Sequence, residues 1–333
     1  MRRVSARVYE SGERLALDAA ATSVHWIGDR ALFALGDGAV LSAARDGDKR
    51  RIAAHDGAIL CAAGHPDGVR LLTGGDDGKL NAVGPDGAIE THFENNKWID
   101  HIVSAPATGL IVAAVGKEAI VFREGREAHR FAYPSSIGGL AFDAKGRRLA
   151  ATHYGGATLR YALMADDKGV ALRWAGSHLA CTLSPDAEYL VTAMQENALH
   201  GWRLPDRTDL RMDGYPAKTR SFSWDKRGRW LATSGADSAI VWPFTGKLGP
   251  QGKAPLQLAP RNGLVTAVAF HPAEEKLAIG YSDGAVWLAS FASQGVDELE
   301  EPGEGAVSAL AWSADGTRLA IGDDAGRGAL IAL

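Results

Sequence analysis

Cysteine is nearly absent: Cys61 and Cys181 are the only two in 333 residues. That is too few for a secreted disulfide scaffold, and a reducing, cytoplasmic setting is expected. Long apolar runs are missing as well. None approaches the roughly 18 residues a spanning helix needs, so no membrane span is expected. The start, MRRVSARVYESGERLAL, has two arginines and then polar residues where a signal peptide requires its apolar stretch. An excess of one charge is also lacking, since 36 Lys and Arg stand against 40 Asp and Glu for a net charge of -4. Such a chain exerts no long-range pull on phosphate backbones or anionic lipid, so neither nucleic acid nor membrane is an expected partner. Nucleotide-loop and zinc-protease motifs (GxxxxGK(S/T), GxGxxG, HExxH) are absent too. The chain is expected not to be an enzyme.

What is present is glycine, 40 residues of it, in a chain that is 46% hydrophobic and 23% charged. This suits a folded protein that must turn often. One pattern recurs from end to end. A short apolar segment ends in an aromatic or small residue, a polar turn follows, and a second apolar segment closes the unit. Examples are AFDAKGRRLAAT at 141–152, SWDKRGRWLATSG at 223–235, AFHPAEEKLAIG at 269–280 and AWSADGTRLAIG at 311–322. Weaker copies lie at 24–36 and 102–116. The first apolar segments begin near residues 21, 59, 99, 137, 178, 219, 265 and 307, spaced by 38, 40, 38, 41, 41, 46 and 42. That period fits the roughly 40 to 45 residues of a four-stranded propeller blade and is short for the kelch blade of about 50.

Strands rather than helices fill the period, because the apolar runs are short and are broken by turn dipeptides. Tight turns such as Gly75-Asp76-Asp77-Gly78 and Ser282-Asp283-Gly284 offer the positive backbone angles a two-residue hairpin needs.

Over nearly its whole length the chain resembles the WD-repeat family. A family repeat reads, loosely, Phe-Ser-Pro-Asp-Gly, then Ser-Gly, an Asp-containing turn, and Trp-Asp. The first three elements are kept. The last is not: Trp202, Trp242 and Trp287 are followed by Arg203, Pro243 and Leu288. The family's network of loop His, strand Ser or Thr and turn Asp is most complete in copy two, with His55, Thr73 and Asp77.

The expected fold is all-β: residues 1–333 as a single closed β-propeller of four-stranded antiparallel blades, eight in number, with seven as the alternative should the weak first or third copy be incomplete. Residues 10–20 supply the strand the last blade lacks, which closes the ring and leaves no open edge. With no edge demanding a mate, a monomer is expected.

In such propellers the loops from outer to next inner strand, and from second to third strand, surround one mouth of the channel. Copies three to six place unusual residues there. The expected function is a binding platform for a protein or peptide, contacted by Trp98, Asp100, Tyr154, Glu196, Tyr215, Lys218 and Arg220, with Asp100 and Arg220 as a conceivable ion pair across the channel. An alternative takes His101, His153 and His178, with Asp100 or Glu196, as a zinc site in a metal-linked accessory protein. A plainer reading has His153 and His178 hydrogen-bonding loop backbone. No other cofactor is expected.

Overall fold

A computed structural model of the chain describes residues 12–291 and 295–333. Second and third strands are apolar at almost every position, as in Leu110–Val115, buried throughout, so both faces must be covered by neighbouring sheets. Outer strands alternate with solvent instead: in Lys49–Ala53 only Ile52 is buried. Glycine permits the tight returns. At Gly38 φ is +88°, and a Cβ there would lie 2.2 Å from the Gly57 carbonyl oxygen, so no other residue fits.

The protein is an all-β closed propeller of antiparallel blades, and the N-terminal strand closes it. Glu13–Ala16 pairs antiparallel with Arg327–Ala332, Glu13 opposite Leu330 and Ala16 opposite Arg327. One further bond, Leu17 N–H to Gly326 O at 2.9 Å, extends the seam. Residues 10 and 11 of the expected closing segment lie outside the described residues. Leu15 and Leu17 pack with Phe33 and Leu41 of copy one and Leu330 of copy eight. The closing strand is therefore held by burial on both sides as well as by its ladder.

Eight repeats build seven hydrogen-bonded sheets among the described residues, six of four strands and one of six. The reduction does not fall on the weak copies. Copy one (Ala21–Ile27 through Lys49–Ala53) and copy three (His101–Ala105 through Arg126–Ala132) are complete four-stranded sheets. Copies four and five instead share one sheet, because two 14-residue strands, Arg148–Tyr161 and Val170–Leu183, run through connections that are loops elsewhere. The first reverses at Gly155 and Gly156, with φ of +87° and +137°. Ala162 N–H then meets Arg147 O at 2.9 Å, as Leu204 N–H meets Glu188 O in copy five. The second passes from the outer strand of copy four into the inner strand of copy five through Trp174-Ala175-Gly176-Ser177, too few residues to leave the sheet.

Neighbouring inner strands are stitched by side chains. Trp26 donates its indole N–H to Ala311 O, Trp312 to Ala269 O, and Trp224 to the Thr182 hydroxyl, at 2.9 to 3.0 Å. Each reaches the preceding copy. Hydroxyls reach the following one: Ser308 to Ala21 O and Thr266 to Val307 O, both 2.6 Å. The aromatic that ends several first segments is thus an inter-blade clasp.

Candidate functional site

Antiparallel order puts the outer-to-inner and second-to-third connections at one end of every sheet. At that end several inner strands slip register after their first residue, at Ile59/Cys61, His178/Ala180, Val265/Ala267 and Val307/Ala309 among others. Each bulge leaves its extra residue unpaired beside the channel. Leu60 and Leu179 occupy two such positions and are exposed.

Two of the expected contacts are the most exposed large apolar side chains among the described residues: Tyr154 at 68% and Trp98 at 61%. Tyr154 is fixed through its backbone, whose N–H donates to the Ser135 hydroxyl at 2.9 Å, so the free ring extends from an anchored turn. A hollow of 570 Å³ lies beside it, walled by Pro134, His153, Arg173 and Trp174. Trp174 also bounds a smaller pocket of 160 Å³ with Met194, Glu196, His200 and Arg211. Glu196, Arg220 and Arg211 are exposed, Asp100, His101 and Lys218 half-buried. No ion pair joins Asp100 to Arg220 among the described residues.

Tyr215 departs from its expected place. It is 7% exposed, its hydroxyl lying 2.7 Å from both Thr233 Oγ1 and Trp242 Nε1. Burial pushes its phenol up to about 12, against the pull of those two bonds. The residue holds the loop and does not offer a contact surface.

His153 and His178 are likewise inward. The Nδ1–H of His153 donates to Tyr154 O at 2.9 Å, leaving Nε2 to accept the Thr158 hydroxyl at 3.0 Å. Burial holds His178 below its ordinary pKa. Its Nε2–H donates to Trp174 O, and Nδ1 accepts from the Thr192 hydroxyl at 2.8 Å. Neither ring keeps a lone pair for a metal. Burial also lowers the His101 pKa, opposed by nearby Asp100. No group of three or more His, Cys, Asp or Glu is placed to hold a metal ion among the described residues. The plainer reading of the two histidines describes their geometry, and both are engaged in hydrogen bonds where the zinc reading needs them as ligands.

Copy two builds the network its sequence announces. His55 Nδ1–H donates to Asp77 at 2.9 Å and its Nε2 accepts the Thr73 hydroxyl at 2.8 Å. Burial alone would raise the Asp77 carboxyl, but hydrogen bonds from His55 and from the Lys79 and Asp56 backbones prevail and hold it low.

Sequence reasoning missed Arg173 and Trp174. They sit in an outer strand, where side chains report solvent and not a mouth. The signal available was the adjacency of an arginine and a tryptophan immediately before a loop shorter than its counterparts.

The family model for the WD domain, G-beta repeat matches residues 48–81, the copy that carries the His55 network. No curated protein matches the chain. Among solved structures, the computationally designed Ika8 protein is similar with a TM-score of 0.77 at 14% identity, covering 98% of this chain and 99% of that one. A chain of the Mitotic Checkpoint Complex is similar with a TM-score of 0.67 at 12% identity, covering 83% of this chain and 86% of that one. At such identities the likeness is one of fold. One repeat of this chain thus matches the WD-repeat model and builds the His55–Thr73–Asp77 network, and the whole chain shares the closed β-propeller fold of these structures.

Proposed function

We propose that the protein is a non-enzymatic platform that recognises a protein or peptide on the mouth face of copies three to six. The observation that carries this reading is the exposure of Tyr154 beside the 570 Å³ hollow walled by Arg173 and Trp174. An exposed aromatic on an anchored turn, next to arginine and a second aromatic, is the composition of an interaction hot spot. Trp98 extends the surface toward copy three, and Glu196, Lys218 and Arg220 give it charges of both signs; Asp100 adds a carboxylate at the channel rim. Fold supplies no more than the word binding, so the argument rests on these side chains. The Mitotic Checkpoint Complex relative is by its name part of an assembly, in keeping with a protein partner here.

A displayed random-peptide library panned against the intact protein tests the reading. Recovered peptides carrying a photo-crosslinker should label the segments around 98, 154, 173–174 and 218–220. Labelling confined to the opposite face of the ring would reject the assignment.

A further inference from the structure

Exposed apolar surface is concentrated at a second place, far from the mouth in the topology. Of the thirteen exposed large apolar side chains among the described residues, Tyr161, Leu163, Met164 and Val170 fall within ten consecutive positions. The first three are each 52% exposed. They belong to the hairpin between the third and outer strands of copy four, which antiparallel order puts at the end of the ring opposite the mouth. Scattered apolar residues need no explanation, but a contiguous group beside a hollow does.

That hollow measures 490 Å³, with Leu159, Leu172 and Leu204 in its wall. Leu172 is 3% exposed, and Leu159 and Leu204 pack on the same core as Leu172 and Trp202. The floor is therefore a rigid extension of the hydrophobic interior between copies four and five. Four cations and two anions line the hollow. Two cations are already engaged: Arg148 donates to Ala187 O and pairs with Asp143, and Arg160 donates to Asp167 O. The Asp167 carboxylate accepts the Tyr161 N–H. Lys168, Arg207 and Asp166 line the rim, are exposed, and have no ion-pair partner among the described residues, which leaves a net positive rim. An apolar floor with uncommitted positive charge at its edge complements one kind of ligand.

We infer that this hollow docks an acidic peptide segment carrying one bulky apolar side chain. The apolar group sits on Leu159, Met164 and Leu204, and the flanking carboxylates meet Lys168 and Arg207. A nucleic-acid backbone fits less well, because it has no apolar group for the floor and the chain is net negative. The inference stands apart from the mouth-face proposal: Leu172 lines both hollows, but no side chain proposed to contact one ligand is proposed to contact the other.

The probe is a fluorescein-labelled peptide with a central phenylalanine flanked by glutamates, followed by anisotropy against the intact protein. Saturable binding is expected, weaker at high ionic strength, and at least about tenfold weaker in Met164→Glu and in Arg207→Glu. Both side chains are exposed, and an unchanged thermal midpoint verifies that each variant folds. A peptide with glycine for the phenylalanine should not bind. Absence of binding, equal binding of the glycine peptide, or parental affinity in both variants would overturn the inference. So would concentration-dependent self-association abolished by Met164→Glu, which would assign the face to a second copy of the chain.

Discussion

Trp242 donates its indole N–H to the hydroxyl of Tyr215 at 2.7 Å, and the same hydroxyl meets Thr233 Oγ1 at 2.7 Å. A tyrosine in copy six thus does what His55 does for Thr73 in copy two and His178 for Thr192 in copy five. In each case a ring before or at the start of the inner strand is tied to a second-strand threonine, so the connections that carry the mouth are anchored.

Tyr215→Phe removes the shared acceptor and leaves a buried indole N–H without a partner. Stability should fall by about 1–3 kcal/mol, read from the urea unfolding midpoint, with peptide recognition at the mouth unchanged. A neutral effect would mean the network is not what anchors this loop.

Closure depends on Leu15 and Leu17, which are 3% and 0% exposed. Leu17→Ala should cost about 2–5 kcal/mol. The pair Leu15→Asp and Leu17→Asp should release the closing strand, exposing the edge of Arg327–Ala332 and driving aggregation. Size-exclusion chromatography reads this directly. A soluble monomeric double variant would contradict the role assigned to that seam.

Acid should unfold the protein in two stages. Burial lowers His25 and His200 from 6.5 to about 4, against a backbone hydrogen bond at Ala62 in the first case and the Asp209 carboxylate in the second. The unfolded chain therefore binds more protons than the folded one between those values, so stability rises with pH there and levels off above 6.5. Asp67 and Asp315 are held down to about 2, Asp67 against its own burial by bonds from Val69 N, Arg70 and His65, and Asp315 chiefly by Ser313. Their contribution persists above 3.8 and is lost as pH drops toward 2. Urea midpoints taken across this range should show both slopes, and His200→Gln should flatten the upper one. Constant stability from pH 6.5 down to 4 would contradict the burial of these rings.

Both cysteines are half-buried thiols packed against the apolar core of the inner strands. Burial pushes Cys181 up to about 12 and Cys61 higher still, with Asp100 adding to the latter, and the Cys61 thiol donates to Ile99 O at 3.2 Å. Neither should react with a disulfide reagent in the native state, whereas both should react in denaturant. Rapid native labelling of either would show that the inner strands open.

Most of the fold is legible in the sequence because its signals are local and repeated. Inner strands begin at Ala21, Ile59, Val265 and Val307 where the period puts them, and the closing strand Glu13–Ala16 falls within the segment expected to complete the last copy. The sharing of a sheet by copies four and five is not legible, since it follows from a short connection through Trp174 and from a Gly155-Gly156 reversal that resembles any other turn. At the site, Trp98 and Tyr154 are marked by residue type in loops. Tyr215 misleads because a tyrosine beside a proline reads as surface, and only its distance to Thr233 reveals the buried network. Arg173 and Trp174 are hidden by lying in an outer strand.

The most direct measurement is a calorimetric titration of a peptide selected on the mouth face into the parent protein and into Tyr154→Ala. The account predicts an affinity loss of at least about tenfold, and near thirtyfold for a full hot spot worth about 2 kcal/mol, with the unfolding midpoint unchanged because the ring is 68% exposed. Equal affinity in the two proteins would contradict the claim that this face is where the propeller binds.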